Sequence, residues 1–180
     1  GYTLDSGRKS YGSYKETRKA KTNYKWEKLE LVAKAAQNLK EYYNADNLIM
    51  IGHSGGALTS ATINSRVPKL IDKSILISCP CDFEKWRKMR GESVYKMKTS
   101  PHKNISGISK DSHTIIIVGK NDINTFPILS KKYHEILISK GFKSELHIIE
   151  GEHSSNSLVD LSKIIKSYIT VSYTHLTLPT

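Results

Sequence analysis

The chain has 180 residues, with 28 Lys and Arg against 17 Asp and Glu for a net charge of +11, and it is 25% charged and 38% hydrophobic. That composition fits a globular chain of one domain's length and excludes a disordered or collagen-like one. No apolar run approaches the ~18 residues of a membrane-spanning helix, so no span is expected within these residues.

In chain order, residues 11–26 (YGSYKETRKAKTNYKW) interleave bases with aromatics. Basic residues are scattered over the whole chain, Lys outweighs Arg, and no nucleic-acid motif accompanies them. The segment is therefore read as a solvated loop, and no nucleic-acid partner is expected. Trp26, Leu29, Val32, Ala33, Ala36, Leu39 and Tyr43 recur at helical spacing, which predicts an amphipathic helix over 26–43. Four short apolar runs follow at 48–51 (LIMI), 74–78 (SILIS), 114–118 (TIIIV) and 145–149 (ELHII). Their starts lie roughly 26 to 40 residues apart with helical patterns between, the spacing of βαβ units. Three of the runs are nearly continuous in β-branched residues or Leu, as in strands covered on both faces. A small-residue helix is predicted over 57–64 and a second over 128–140, ending at Gly141. A last helix is predicted over 158–169, with Leu158, Leu161, Ile165 and Ile169 as its buried stripe. The least regular stretch, 80–110, holds Trp86, Met89, Tyr95 and Met97 and reads as an insertion over the strand ends. The fold class implied is α/β, a mostly parallel sheet with helices on both faces.

Cys79 and Cys81 flank Pro80. A bridge across one residue is expected to be badly strained, so the reading is two free thiols packed as small apolar groups, which slightly favours a cytoplasmic setting. The chain starts at Gly1 with no signal-peptide pattern. Residues 171–180 (VSYTHLTLPT) carry no charge, whereas residues 1–170 carry all of it. The ten residues read in one frame as a transposon adapter used in sequencing libraries. They are expected to be a non-native tail, outside the fold.

Residues 52–56 (GHSGG) match G-x-S-x-G between an apolar strand and a small-residue helix, the context that gives this motif meaning. Glycines two before and two after Ser54 would allow the close packing of a sharp strand-to-helix turn. The third strand is followed by Gly119, Lys120, Asn121 and Asp122, and the fourth by Gly151, Glu152 and His153. Both sets fall beyond the carboxyl ends of strands, where open parallel sheets carry functional residues.

These three motifs, in the order Ser, acid, His, resemble the α/β-hydrolase superfamily, and residues 112–154 look like the end of an esterase or prolyl-oligopeptidase-like domain. The resemblance implies a serine hydrolase acting through an acyl-enzyme, with Ser54 as nucleophile, His153 as base and Asp122 as its acid partner. It further implies one oxyanion-hole donor from the amide of Gly55. It implies that residues 1–170 are the C-terminal part of a catalytic domain whose first strands and second oxyanion donor lie upstream of Gly1. Residues 1–12 (GYTLDSGRKSYG) look like the glycine-rich segment following the strand after the one that carries that donor, so the chain is expected to begin after the oxyanion loop. The strand at 48–51 would then sit at an open apolar edge, prone to pairing with another chain. No cofactor and no metal are implied, and the partner would be a small-molecule ester or peptide substrate.

Each assignment has a rival. Asp82 and Asp111 compete as the acid, and His147, inside a predicted strand, competes as the base. His53 is read as a packing or hydrogen-bonding residue of the turn. His147, Glu150, Glu152 and His153 lack the helix-face spacing of metal ligands, so a metal cluster is not expected. The alternative function is a non-catalytic binding protein on the same fold. The choice between ester and peptide, and the oligomeric state, are left open.

Overall fold

The computed structural model describes residues 24–94 and 96–169. The readings made on residues 1–23, on Tyr95 and on the 171–180 tail lie outside the described residues. Helix α1 (Trp26–Tyr42) is followed by β1 (Ile49–His53), α2 (Gly55–Arg66), β2 (Lys73–Ile77) and the short α3 (Phe83–Met89). Then come β3 (His113–Gly119), α4 (Pro127–Ser139), β4 (Lys143–Ile149) and α5 (Leu161–Ile169). No helix of the described residues is long and apolar enough to cross a membrane.

The four strands form one sheet in the order β1-β2-β3-β4, and every pair is parallel. The continuous apolar runs of β2 and β3 follow from covering on both faces, because alternate residues point to opposite sides. Leu76 and Ile116 face Ala57 and Ala61 of α2 and Tyr133 and Leu137 of α4. Ile75, Ile77, Ile115 and Ile117 face the other way, against Leu161, Ile164, Ile165 and Tyr168 of α5. Helix α1 lies on the α2 side, where Val32 and Ala33 pack with Ile63, Ile71 and Met50. Among the described residues β1 is an edge strand, and Ile51 there is about half exposed at 46%.

Three expectations are corrected. First, Cys79 and Cys81 are joined in a disulfide with Cα atoms 5.1 Å apart. A fully extended pair of residues spans roughly 7 Å, but this distance depends only on the backbone at Pro80, whose ring holds φ at about −65°. At 5.1 Å the backbone bends at Pro80, and the Cα atoms come into the range that a disulfide spans. Both cysteines are fully buried at the strand end, as expected, while the cytoplasmic inference drawn from free thiols loses its premise. Second, the far end of the α1 stripe faces solvent: Leu39 and Tyr43 are exposed and only Leu29 and Ala33 are fully covered. Third, α5 begins at Leu161, so Leu158 is buried from the preceding loop. The helix packs through Leu161, Ile164, Ile165 and Tyr168, while Ile169 is exposed.

Ile116 sits at the centre of the sheet with no exposure, whereas Ile138 is half exposed on α4. Ile116→Ala is expected to cost about 2–5 kcal/mol in urea unfolding. Ile138→Ala should change stability by less than about 1 kcal/mol; equal losses would contradict this placement of the core.

Candidate active site

Ser54 sits between the last residue of β1 and the first of α2, with φ 53° and ψ −115°. This backbone conformation is costly for a residue with a side chain. Two hydrogen bonds hold it: the Ser54 amide donates to Ile77 O (2.8 Å), and Leu58 N donates to Ser54 O (3.0 Å), starting the helix. Gly52 is required by the same turn, because a Cβ there would lie 2.3 Å from the carbonyl oxygen of Gly56. Gly56, expected to serve close packing too, faces open space. The second crowded glycine is Gly55, where a Cβ would meet the Tyr24 hydroxyl at 2.3 Å. As the first residue of α2, Gly55 carries one of the amides that have no acceptor within the helix. Among the described residues a cleft of about 710 Å³ opens beside this turn, lined by Tyr24, Met50, Ile51, His53, Gly55 and Thr59.

The other two candidates are brought together by strand pairing that continues into the loops. Beyond β3 and β4, Lys120 N donates to Ile149 O (2.7 Å) and Asn121 N to Gly151 O (3.0 Å). A Cβ on Gly119 would lie 2.5 Å from Glu152 O, so the two loops touch at their backbones. Gly151, with φ 129°, makes the turn that aims His153 back across the sheet end.

His153 Nδ1 lies 3.0 Å from Asp122 Oδ2, and His153 Nε2 lies 3.0 Å from Ser54 Oγ. With Asp122 ionised, Nδ1 carries the proton and donates to the carboxylate, which leaves Nε2 to accept from the Ser54 hydroxyl. The Asp122 side chain is fully buried. Its Oδ1 accepts from the amides of Asn124 and Thr125, both at 2.8 Å, and Oδ2 accepts from Thr125 Oγ1 at 2.7 Å. Burial by itself would push the Asp122 pKa up. The Thr125 hydroxyl, His153, the Thr125 amide and the Ser78 hydroxyl together outweigh that and hold it below its ordinary value. The Ser78 hydroxyl makes no well-formed hydrogen bond, and its pull is the weakest of the four. His53 Nε2 lies 2.7 Å from the backbone carbonyl of His153, to which it must donate, and so ties the turn to the histidine loop.

The rivals are engaged elsewhere. Asp82 Oδ1 caps α3 by accepting from Lys85 N (3.1 Å) and lies 3.6 Å from His102 Nδ1. Ser100 Oγ contacts that same nitrogen at 3.0 Å, so Asp82 faces His102 and not His153. Asp111 is exposed just before β3, at the opposite end of the strand. His147 Nε2 contacts the Tyr168 hydroxyl at 2.8 Å under α5, where burial and Glu145 raise the phenol's pKa to about 12. Among the described residues no group of three or more His, Cys, Asp or Glu is arranged to hold a metal.

Sequence reasoning missed Thr125 and Ser78. For Thr125 a signal was present: an Asp followed two and three residues on by Asn and Thr is the pattern of a side chain capping its own loop.

No family profile and no curated protein matches the sequence. Solved structures do. A puromycin-hydrolyzing peptidase from Mycobacterium tuberculosis matches with a TM-score of 0.61 at 16% identity, over 70% of this chain and 22% of that one. Dipeptidyl peptidase 4 from Porphyromonas gingivalis matches with 0.60 at 17% identity, over 78% and 22%. Esterase PE8 matches with 0.57 at 20% identity, over 78% and 60%. The chain therefore has the α/β-hydrolase fold, and it spans about a fifth of the two peptidases and three fifths of the esterase.

Two outcomes follow for stability. Gly52→Ala should cost more than about 2 kcal/mol, since backbone must give way. Gly56→Ala, inside a helix and facing space, should gain up to about 1 kcal/mol; similar effects from the two would refute this account of the turn. Because folding lowers the Asp122 pKa, the carboxylate contributes stability that is complete above its unfolded value of 3.8 and is lost as pH falls through the lower folded value. Urea unfolding from pH 6 to 2 should give wild type a steeper loss across that window than Asp122→Asn. Parallel curves would show that Asp122 is not held this way.

Proposed function

We propose that this chain carries the nucleophile, base and acid of a serine hydrolase that cleaves carboxylic ester or peptide bonds through an acyl-enzyme on Ser54. The carrying observation is the hydrogen-bonded series Ser54 Oγ, His153, Asp122, with both links at 3.0 Å. The peptidases and esterase that share the fold are hydrolases by their own descriptions, which supports the reading at the level of reaction class.

The steps follow from the positions of the groups. Ser54 Oγ attacks the substrate's carbonyl carbon while His153 Nε2 takes its proton. The carbonyl oxygen gains the negative charge, and the Gly55 amide donates to it. Burial of Asp122 keeps water from competing for Oδ2, so the carboxylate fixes the ring's tautomer and stabilises the imidazolium. The imidazolium then protonates the departing alcohol or amine as the carbon–oxygen or carbon–nitrogen bond breaks. Water, deprotonated by the same Nε2, attacks the acyl-enzyme and returns Ser54 to its starting state. Protein groups and water complete the cycle, and the cleft beside Tyr24 and His53 is where a substrate carbonyl could reach Ser54.

Covalent labelling by a fluorophosphonate tests this. Wild type should label, Ser54→Ala and His153→Ala should not, and Asp122→Asn should label about 10³- to 10⁴-fold more slowly. Wild type labelling no faster than Ser54→Ala would sink the hydrolase reading and favour a non-catalytic binding protein on this fold. Comparing turnover of acyl esters with that of short peptides then selects the substrate class.

A further inference from the structure

We propose that Trp86, on α3, is a positioning residue for the Asp122 carboxylate, acting through Asn124; the proposal deepens, and rests on, the hydrolase reading above. The Trp86 indole N–H donates to Asn124 O at 2.9 Å, across 38 positions of sequence. Arg90 lies over the same indole, 5.4 Å from the ring centroid, and its guanidinium donates to Asn124 Oδ1. Asn124 is thus held at its backbone oxygen and at its side-chain oxygen, and its backbone N–H donates to Asp122 Oδ1.

The anchor is rigid where it needs to be. Trp86 packs on Phe83 with ring centroids 5.5 Å apart, and Phe83 is fully buried against Leu58 of α2. Helix α2 begins at Gly55, directly after Ser54, so α3 is a strut between the helix behind the nucleophile and the loop that carries the acid. The consequence for Asp122 is geometric. While Asn124 and Thr125 occupy Oδ1 with their amides, Oδ2 is left to Thr125 Oγ1 and His153 Nδ1. If Asn124 moves, Oδ1 loses one of its two amide donors and the carboxylate can rotate away from the imidazole. The imidazolium is then less well stabilised. That penalty falls on the proton-transfer step and spares substrate binding.

The test uses the full chain with Trp86→Phe, which keeps an aromatic ring against Phe83 and Arg90 but removes the N–H donor. Two readouts are taken: the pH dependence of the fluorophosphonate labelling rate, and the downfield proton resonance of His153 Nδ1–H, assigned by its absence in Asp122→Asn. The expected result is a labelling rate about three- to tenfold lower on the plateau. The acid limb should move to lower pH, and the His153 resonance should move upfield or broaden. A variant with β-(3-benzothienyl)alanine at position 86, which replaces the indole N–H by sulfur at nearly constant shape, should do the same and stands in if Trp86→Phe does not fold. An unmoved resonance together with an unmoved acid limb would overturn the role of Trp86. That result is distinct from wild type labelling no faster than Ser54→Ala, which would overturn the hydrolase reading itself.

Discussion

Three backbone hydrogen bonds step across the carboxyl edge of the sheet, and the rest of the site depends on them. Ser54 N donates to Ile77 O, Ser78 N to Ile117 O, and Lys120 N to Ile149 O, at 2.7 to 2.8 Å. Each extends a parallel ladder one residue past the end of its strand. Parallel pairing puts all four carboxyl ends on the same edge, and these bonds then fix the first residue of each departing loop. A one-residue slip between β3 and β4 would turn Asp122 and His153 to different heights. The contact of Gly119 with the backbone at 151–152 prevents that slip, because only a residue without Cβ lets the loops lie so close.

Backbone strain collects on the same edge. Ser54 and Ser78 both have φ near 50° and lie immediately after β1 and β2. Such residues cost on the order of 1–3 kcal/mol each and persist only where their surroundings over-determine them. Here the amide bonds to the next strand supply that determination, with the burial of Ser78 and the start of α2 adding to it. The strain at Ser54 lifts its hydroxyl toward His153. At Ser78, just before the Cys79–Cys81 disulfide, it accompanies a hydroxyl in the environment of Asp122.

Much of this was legible in the sequence for a simple reason: apolar runs and glycines report backbone requirements directly. The β-branched runs gave all four strands to within two residues at their ends, and G-x-S-x-G marked a turn in which Gly52 has no steric alternative. What escaped depends on contacts between distant residues. Cys-Pro-Cys alone does not distinguish a pair that bridges from one that does not, since the outcome depends on how far the backbone bends at Pro80. The helical period could not say that Leu39 and Tyr43, at the end of α1, are left in solvent. The bond from Trp86 to Asn124 joins a segment that sequence alone marks only as irregular to a loop read for its aspartate.

The position of β1 at the edge of the sheet bears on how self-contained the site is. An edge strand offers unpaired backbone groups and, with Ile51 half exposed, apolar surface as well. Among the described residues, Ile77 O and Leu58 N hold Ser54, the β3 and β4 loops hold the other two residues, and His53 reaches toward His153. The side of β1 that is open among the described residues borders the cleft lined by Tyr24 and Met50. The hydrogen-bonded series Ser54, His153, Asp122 is formed by residues of β1 to β4 and the loops at their carboxyl ends.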